Sequence, residues 1–387
     1  MYQLIKTLIL SLSIASTVVI NQAAQAMQTP PPPPLAVKAY VLKDFNSNMI
    51  VAEQNGADKV EPASLTKLMT AYVVFSALKN GHLQLSQVLP VSKKAWKTEG
   101  SRMFIEPNKP VTVDELLHGV IIQSGNDSSI ALAEGVASTE ELFADMMNKE
   151  AARIGMKNTH FVNATGLPNP QHYTTAYDLS ILASTLVHDF PNEYKRFYST
   201  KGYTYNNITQ PNRNRLLWAD PTVDGMKTGH TESAGYCLIS SAKRGQAGQE
   251  HRFISVVLGA PSDSARATES QKLLNFGFQF YDSTLVYKKA QVVNVIKVWK
   301  GQSNSLAATV ADDLYLTLPK GEYARVKAAI TSQQPLIAPI AKGQIIGKIS
   351  FTLDDKLIDT RNLIAAQEIA AAGIFGRLWD SLKLLLQ

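Results

Sequence analysis

The order of hydrophobic periodicities constrains this chain more than any other feature: two-residue alternation, a long helical block, then strand character again. From Ala36 apolar residues alternate (Val37, Ala39, Val41), Asn46-Ser47-Asn48 marks a turn, and Ile50-Val51-Ala52 resumes the run, the pattern of a β-hairpin. Between Ser64 and about Asp189 the repeat becomes helical. Pro62-Ala63-Ser64 opens a helix with Leu65, Leu68, Met69 and Tyr72 at helical spacing, closed by Asn80-Gly81. Thr112 with Glu115 makes a capping box before Leu116-Leu117. Further helices are expected over about Glu140–Ile154 and Tyr177–Val187, and strands around Gly235–Ser241 and Phe253–Gly259. Strands first and last with helices between them predict a sheet flanked by helices, with the two ends of the unit pairing in the sheet.

After about Tyr287 the texture changes. Short β-rich runs (Val292–Trp299, Leu314–Leu318, Val326–Thr331, Ile345–Leu353) alternate with Gly, Pro and Asp turns, as in a small all-β domain. In the last stretch Phe375, Leu378, Trp379, Leu382, Leu385 and Leu386 fall at helical spacing, with Arg377, Asp380, Ser381 and Lys383 largely elsewhere on the wheel. Such a helix is too short and too polar on one face to span a bilayer, and its Phe375/Trp379 stripe suits lying in the interface plane. Packing on the β-rich domain is the plain alternative. At the other end, Lys6 is the only charge in the first 26 residues, an apolar stretch runs from Leu8 to Ile20, and Ala24-Gln25-Ala26 offers small residues for cleavage. Export with removal of residues 1–26 is expected, a retained N-terminal anchor being the alternative. Five consecutive prolines, Pro30 to Pro34, read as an extended spacer. The units are then a signal peptide (1–26), a proline-rich spacer (27–35), a first domain (36–286), a β-rich domain (287–366) and an amphipathic helix (367–387).

Composition mainly excludes. With 45% hydrophobic and 18% charged residues the chain has an ordinary globular balance. The net charge of +6, or +5 without Lys6, fits life beside anionic lipid, and no basic run is dense enough to suggest nucleic acid. Cys237 is the single cysteine, so an intrachain disulfide framework, a Cys-rich metal site and a lipoprotein anchor near residue 26 are ruled out; its bland reading is a small buried filler. No metal-ligand cluster or phosphate loop is present, so neither metal nor cofactor is expected.

The chemistry begins at Ser64-Leu65-Thr66-Lys67. A serine hydroxyl is a poor nucleophile until a base takes its proton, and a lysine three residues on along a helix brings its amine to the same face. Burial and a neighbouring cation would lower that lysine's pKa enough for it to serve as the base. Ser-x-x-Lys also occurs at Ser76 and Ser240, and roughly one or two matches arise by chance, so the pattern alone is weak. Context separates them: Ser64 opens a helix just after Pro62, whereas Ser76 lies mid-helix and Ser240 at the end of a strand. Ser124-Gly125-Asn126 is the only Ser-x-Asn, in a turn between two helices, and Lys227-Thr228-Gly229 is the only Lys-Thr-Gly, before a predicted strand.

This trio in this order, with gaps of 60 and 103 residues, resembles the signature of penicillin-binding proteins and serine β-lactamases. Ile121–Asp127 (IIQSGND), Gln210–Trp218 (QPNRNRLLW), Asp224–Thr231 (DGMKTGHT) and Ser255–Gly259 (SVVLG) further resemble the low-molecular-mass D-alanyl-D-alanine carboxypeptidases. The likeness covers essentially all of the chain after the signal segment. It implies an α+β fold: a serine β-lactamase/penicillin-binding-protein-like catalytic domain with an antiparallel sheet flanked by helices, a small all-β domain and a terminal amphipathic helix. It implies that Ser64 attacks the carbonyl between two terminal D-alanines of a peptidoglycan stem peptide, that Lys67 is the general base, and that Ser124 relays the proton to the departing amine. Asn126 would hold the substrate backbone and orient Lys67, Lys227 would keep Lys67 neutral, and Thr228 would bind the terminal carboxylate. Backbone amides of Ser64 and His230, with Gly229 beside them, would line the oxyanion site. Arg252 is a candidate counter-ion for the carboxylate; its bland reading is a structural arginine. The His230 side chain has no role the chemistry demands.

Three other readings stay open. A serine β-lactamase needs rapid deacylation, which class A enzymes achieve with a Glu-x-x-Leu-Asn glutamate; that segment is absent, and the Gly166–Tyr173 loop has no acidic residue. β-Lactams are therefore expected to be covalent inhibitors. A D,D-endopeptidase cutting cross-links would use the same Ser64 chemistry, and a non-catalytic wall-binding scaffold would have no need of both lysines. The expected location is the periplasm or the outer face of the cytoplasmic membrane.

Overall fold

The computed structural model describes residues 30–246 and 250–386. The expected signal peptide and the first residues of the spacer lie outside the described residues. From Pro30 the chain runs without regular structure until Leu35 buries itself against the sheet beside Tyr40 and Leu42.

The predicted hairpin forms as β1 (Ala39–Asp44) and β2 (Ile50–Gln54). Its sheet is completed by β3 (Val223–Thr231), β4 (Gly235–Arg244) and β5 (His251–Ala260), in the antiparallel order β2-β1-β5-β4-β3. The start of the unit therefore pairs with its end, Val41 standing opposite Val256. All six residues of β1 are buried, because both faces of the sheet are covered. Ala39 and Val41 join the core beneath the helical block; Tyr40 and Leu42 join a second core with Leu273 and Leu274. Successive strand side chains point to opposite faces, so one strand feeds two cores.

The helical block comprises α1 (Lys67–Lys79), α2 (Val113–His118), α3 (Asn126–Ala137), α4 (Glu140–Ile154) and α5 (Ala176–Asp189). The Thr112/Glu115 capping box is present at the start of α2, and Asn80 ends α1 with Gly81 at φ +73°. Helix α1 is buried on nearly every side, Tyr72, Val73, Val74 and Phe75 included. Each such side chain is worth about 1.5–3 kcal/mol, so the residues leading into α1 stand on a firmly packed helix. Helix α6 (Asp263–Phe280) covers the other face of the sheet.

The strand Tyr281–Tyr287 pairs with Leu314–Pro319, so it belongs to the β-rich domain rather than to the first unit of 36–286. The remainder of that domain is a six-stranded sheet with its own core of Val298, Leu306, Ile349, Phe351 and Leu363. Its longest strand, Lys356–Ala365, went unread in the sequence because most of its residues face solvent and carry no apolar alternation. The two domains meet through polar contacts. Ser47 Oγ lies 2.7 Å from Thr317 Oγ1, Arg361 donates to Ser47 O at 3.2 Å, and Ser283 Oγ donates to the buried Asp44 carboxylate at 3.3 Å.

The final helix α7 (Ile374–Leu385) starts later than expected. Residues before it still belong to the β-rich domain: Ile369 is buried and bridges Ile340, and Ala371 bridges Gly301. Asp380, on the polar side of α7, accepts the Lys300 backbone N–H at 2.7 Å. The apolar stripe points away, with Phe375 88% and Leu385 83% exposed. Among the described residues no helix is long and apolar enough to cross a membrane.

Candidate active site

Ser64 lies in a single 3-10 turn, Ala63–Thr66, from which α1 continues at Lys67. The helical step brings Lys67 Nζ to 3.1 Å from Ser64 Oγ. The same nitrogen lies 2.7 Å from Asn126 Oδ1 and 2.5 Å from the Thr165 carbonyl oxygen. A neutral amine can keep both donations, to Asn126 and Thr165, and still turn its lone pair to the Ser64 hydroxyl. Lys67 is 1% exposed, and burial first, then the Arg213 charge, pushes its pKa down to about 7, against the opposing pull of Asp127 and Glu140.

Lys227 is buried beside it and donates to the Thr228 carbonyl at 3.0 Å. Burial, then Lys67, Arg213 and Arg266, hold its pKa well below the usual lysine range. Two ammonium groups in one dry pocket repel, so the pair resists carrying two protons.

Ser124 and Asn126 come from the junction of α2 and α3. One π turn, Gly119–Gln123, ends with Ser124 in the left-handed region (φ 61°, ψ 35°), a conformation costly for a residue with a side chain. That backbone holds Ser124 Oγ buried at the cleft, without a hydrogen-bond partner among the described residues. Asn126 is pinned at both ends of its amide: Oδ1 accepts from Lys67, and Nδ2 donates to Glu99 O at 2.6 Å. Asp127 gathers the backbone N–H groups of Met103 (2.9 Å), Phe104 (2.8 Å), Ile105 (3.2 Å) and Ser128 (2.8 Å), drawing the preceding loop against α3.

Lys227-Thr228-Gly229 lies within the edge strand β3, not merely ahead of a strand; Gly-rich VDGMKTGHT gives no alternation by which to see it. At Gly229 a Cβ would stand 3.2 Å from Leu65 N and 3.3 Å from Pro62 O, so the missing side chain lets β3 run close beside the nucleophile turn. The resulting cleft, about 570 Å³, is lined by Ser64, Ser124, Thr228, Gly229 and His230, with Arg213 and Arg266. His230 is exposed, its ring 4.0 Å from that of Tyr236.

Arg252 is not among the residues lining this cleft. Its guanidinium is held bidentate by Asp224, at 2.8 and 2.7 Å, and also donates to Ser241 Oγ. The register places it opposite Lys243, at the far end of β4 from Leu238, the partner of Thr228. The candidate counter-ion of the sequence reading thus sits in an ion pair away from the cleft, the structural alternative given for it above. Arg266 pairs with Asp263 and donates to Gly229 O at 3.2 Å. Arg213 has no carboxylate within ion-pair distance among the described residues, which leaves its charge for a ligand. Arg213 was visible within QPNRNRLLW; nothing in the sequence marked Arg266.

Comparison with known proteins gives the chain a family. Residues 24–262 match the family described as D-alanyl-D-alanine carboxypeptidase, and residues 281–371 match the C-terminal domain of penicillin-binding protein 5. The chain belongs to the D-alanyl-D-alanine carboxypeptidase family. Its relatives include the D-alanyl-D-alanine carboxypeptidase DacC of Escherichia coli (strain K12), 42% identical, with 92% of this chain and 90% of that one aligned. Penicillin binding protein 5 from Haemophilus influenzae superposes with a TM-score of 0.84 at 40% identity, covering 88% of this chain and 99% of that one. A more distant member, penicillin-binding protein D2 from Listeria monocytogenes in its ampicillin-bound form, is 30% identical with a TM-score of 0.58, over 64% of this chain and 100% of that one. The family resemblance therefore spans both domains, and the second family match ends at residue 371, just before α7.

Proposed function

We propose that the protein is an exported serine D,D-carboxypeptidase that removes the terminal D-alanine from peptidoglycan stem peptides. The observation that carries this reading is the Lys67 amine, 3.1 Å from Ser64 Oγ, with its other two partners both acceptors. Ser64 Oγ adds to the carbonyl carbon between the two D-alanines while its proton passes to Lys67. Backbone amides of Ser64 and His230 face the oxyanion. The proton then reaches the leaving nitrogen through Ser124 Oγ, which has no hydrogen-bond partner among the described residues. The amide C–N bond breaks, an ester to Ser64 forms and D-alanine departs; water then hydrolyses the ester and restores the hydroxyl. Thr228 and the unpaired Arg213 receive the free terminal carboxylate. A cation waiting for a carboxylate fits a substrate whose leaving residue carries a free one, as a terminal D-alanine does.

A β-lactam would enter the same step and form the same kind of ester. The Gly166–Tyr173 loop offers no carboxylate to activate water, so the acyl-enzyme should be long-lived and β-lactams should act as covalent inhibitors. The apolar stripe of α7, turned away from the β-rich domain, supports a peripheral anchor on the outer face of the cytoplasmic membrane.

The deciding experiment is D-alanine release from a pentapeptide ending in D-Ala-D-Ala, comparing the protein with its Ser64→Ala variant. Release that vanishes in the variant establishes reaction and nucleophile together. Absence of release from folded protein that still takes up labelled penicillin would turn the reading toward an endopeptidase.

A further inference from the structure

The loop Asn163–Tyr173 supplies the Thr165 carbonyl to which Lys67 donates, so its placement decides where the base points. It is fastened to the nucleophile segment at several points. Thr70 Oγ1 donates to Ala164 O at 2.7 Å, and Gly166, at φ +82°, runs so close that a Cβ there would lie 1.9 Å from the Ala63 carbonyl oxygen. His172 makes a further tie. Its Nε2 lies 2.8 Å from Thr66 Oγ1, and its Nδ1 lies 3.3 Å from the Val162 backbone nitrogen. A backbone N–H can only donate, so Nδ1 is the acceptor and the ring proton sits on Nε2, donating to Thr66. His172 is 3% exposed, with the Phe161 ring edge-on at 5.6 Å. Burial, then His160 and Lys67, push its pKa down to about 4, so the ring stays neutral and the tautomer fixed at neutral pH. Thr66 stands between Ser64 and Lys67 in the chain, and His172 closes the loop that carries Thr165.

We infer that His172 is a positioning residue for acylation: by bridging Thr66 to the backbone at Val162 it sets where the Thr165 carbonyl meets Lys67, and so aims the amine at Ser64. The inference rests on the Ser64/Lys67 reading above but not on the identity of the peptide. The test therefore measures acylation by a labelled penicillin, which reports on the nucleophile whether or not any peptide is hydrolysed.

Glutamine at 172 can place an amide donor where Nε2 stands; asparagine can imitate only Nδ1; alanine imitates neither. His172→Gln should acylate close to the wild-type rate. His172→Asn and His172→Ala should fall by about tenfold to a hundredfold, the scale of a small misplacement of reacting groups. Their rate–pH curves should also shift: a loosened loop admits water to Lys67, relieves the burial that depresses its pKa, and moves the acid limb upward from about 7. Arg213, Lys227, Asp127 and Glu140, the charged groups facing Lys67, are untouched by these changes. Thr66→Val removes the acceptor from the other side with His172 in place, and should repeat the loss even if a His172 variant fails to fold. Wild-type rates in the folded Asn and Ala variants, or in Thr66→Val, would overturn the inference. So would equal losses in Gln, Asn and Ala with an unmoved acid limb, the mark of a packing residue. Wild-type protein that acylates yet releases no D-alanine would count against the proposed function and leave this inference standing.

Discussion

The Lys67 amine loses its proton near pH 7, and only the unprotonated form can take the Ser64 proton, so the acylation rate should climb as pH rises through about 7 and level off above it. Stopped-flow uptake of a chromogenic β-lactam across pH 5 to 9 checks this; a rate flat across that range would refute it. Stability carries the opposite mark of the same burial. The folded pKa lies below the unfolded value of 10.5, so the unfolded chain binds the extra proton and the lysine destabilises the fold most below pH 7. Lys67→Met should therefore abolish acylation yet raise the melting temperature. The gain should be greatest below pH 7 and fade as pH approaches 10.5. The arginines divide in the same way between function and structure. Arg213→Ala should raise KM for the pentapeptide and move the acid limb upward, because Arg213 helps to keep Lys67 neutral. Arg252→Ala should leave KM alone and cost about 1–3 kcal/mol in urea unfolding, since Asp224 loses its bidentate partner. Sequence motifs exposed Ser64, Lys67, Ser124, Asn126 and Lys227 because their chemistry depends on close spacing or a unique tripeptide. Arg213 lay in a quoted segment without a role, and Arg266 and the Thr165 carbonyl were unmarked: an arginine's duty depends on which carboxylates the fold brings to it, and a backbone oxygen leaves no residue-type signal.

Turns and loops, together with the element ends they join, hold the reacting groups in register. Gly166→Ala forces a side chain into φ +82° and against the Ala63 carbonyl. It should cost at least about 1–3 kcal/mol from the backbone alone, measured as a lower urea midpoint, and slow acylation with it. Asp127→Asn keeps the shape but replaces one acceptor oxygen by a donor. Part of the four-amide cluster is then unsatisfied, and a loss of about 1–3 kcal/mol should follow. At this scale the caps and the hairpin were legible, because Thr112/Glu115 and Asn46-Ser47-Asn48 act through their immediate neighbours. Strand β3 was not, since its place at the sheet edge is imposed by β4 and by the nucleophile turn rather than by its own apolar pattern.

The two-domain architecture could be read from the change in texture near Tyr287, although the pairing of Tyr281–Tyr287 with Leu314–Pro319 moves the boundary earlier, a long-range contact no local pattern reports. The same holds at the other end, where Ile369 belongs to the β-rich core. Truncation after Gly373, which spares that core, should leave acylation unchanged and free the protein from vesicles of anionic phospholipid; co-sedimentation of the truncated chain at the full-length level would remove the case for an anchor. The way α7 is fastened matters for more than adhesion. Asp380 hangs from the Lys300 N–H, so the helix cannot roll about its axis without letting go of the β-rich domain. If α7 lies on a lipid surface as proposed, its roll angle would set the tilt of that domain and, through Thr317, Ser47 and Arg361, the heading of the catalytic cleft. The helix would then work as a compass mount, giving the cleft its altitude and bearing before any side chain of the site is consulted.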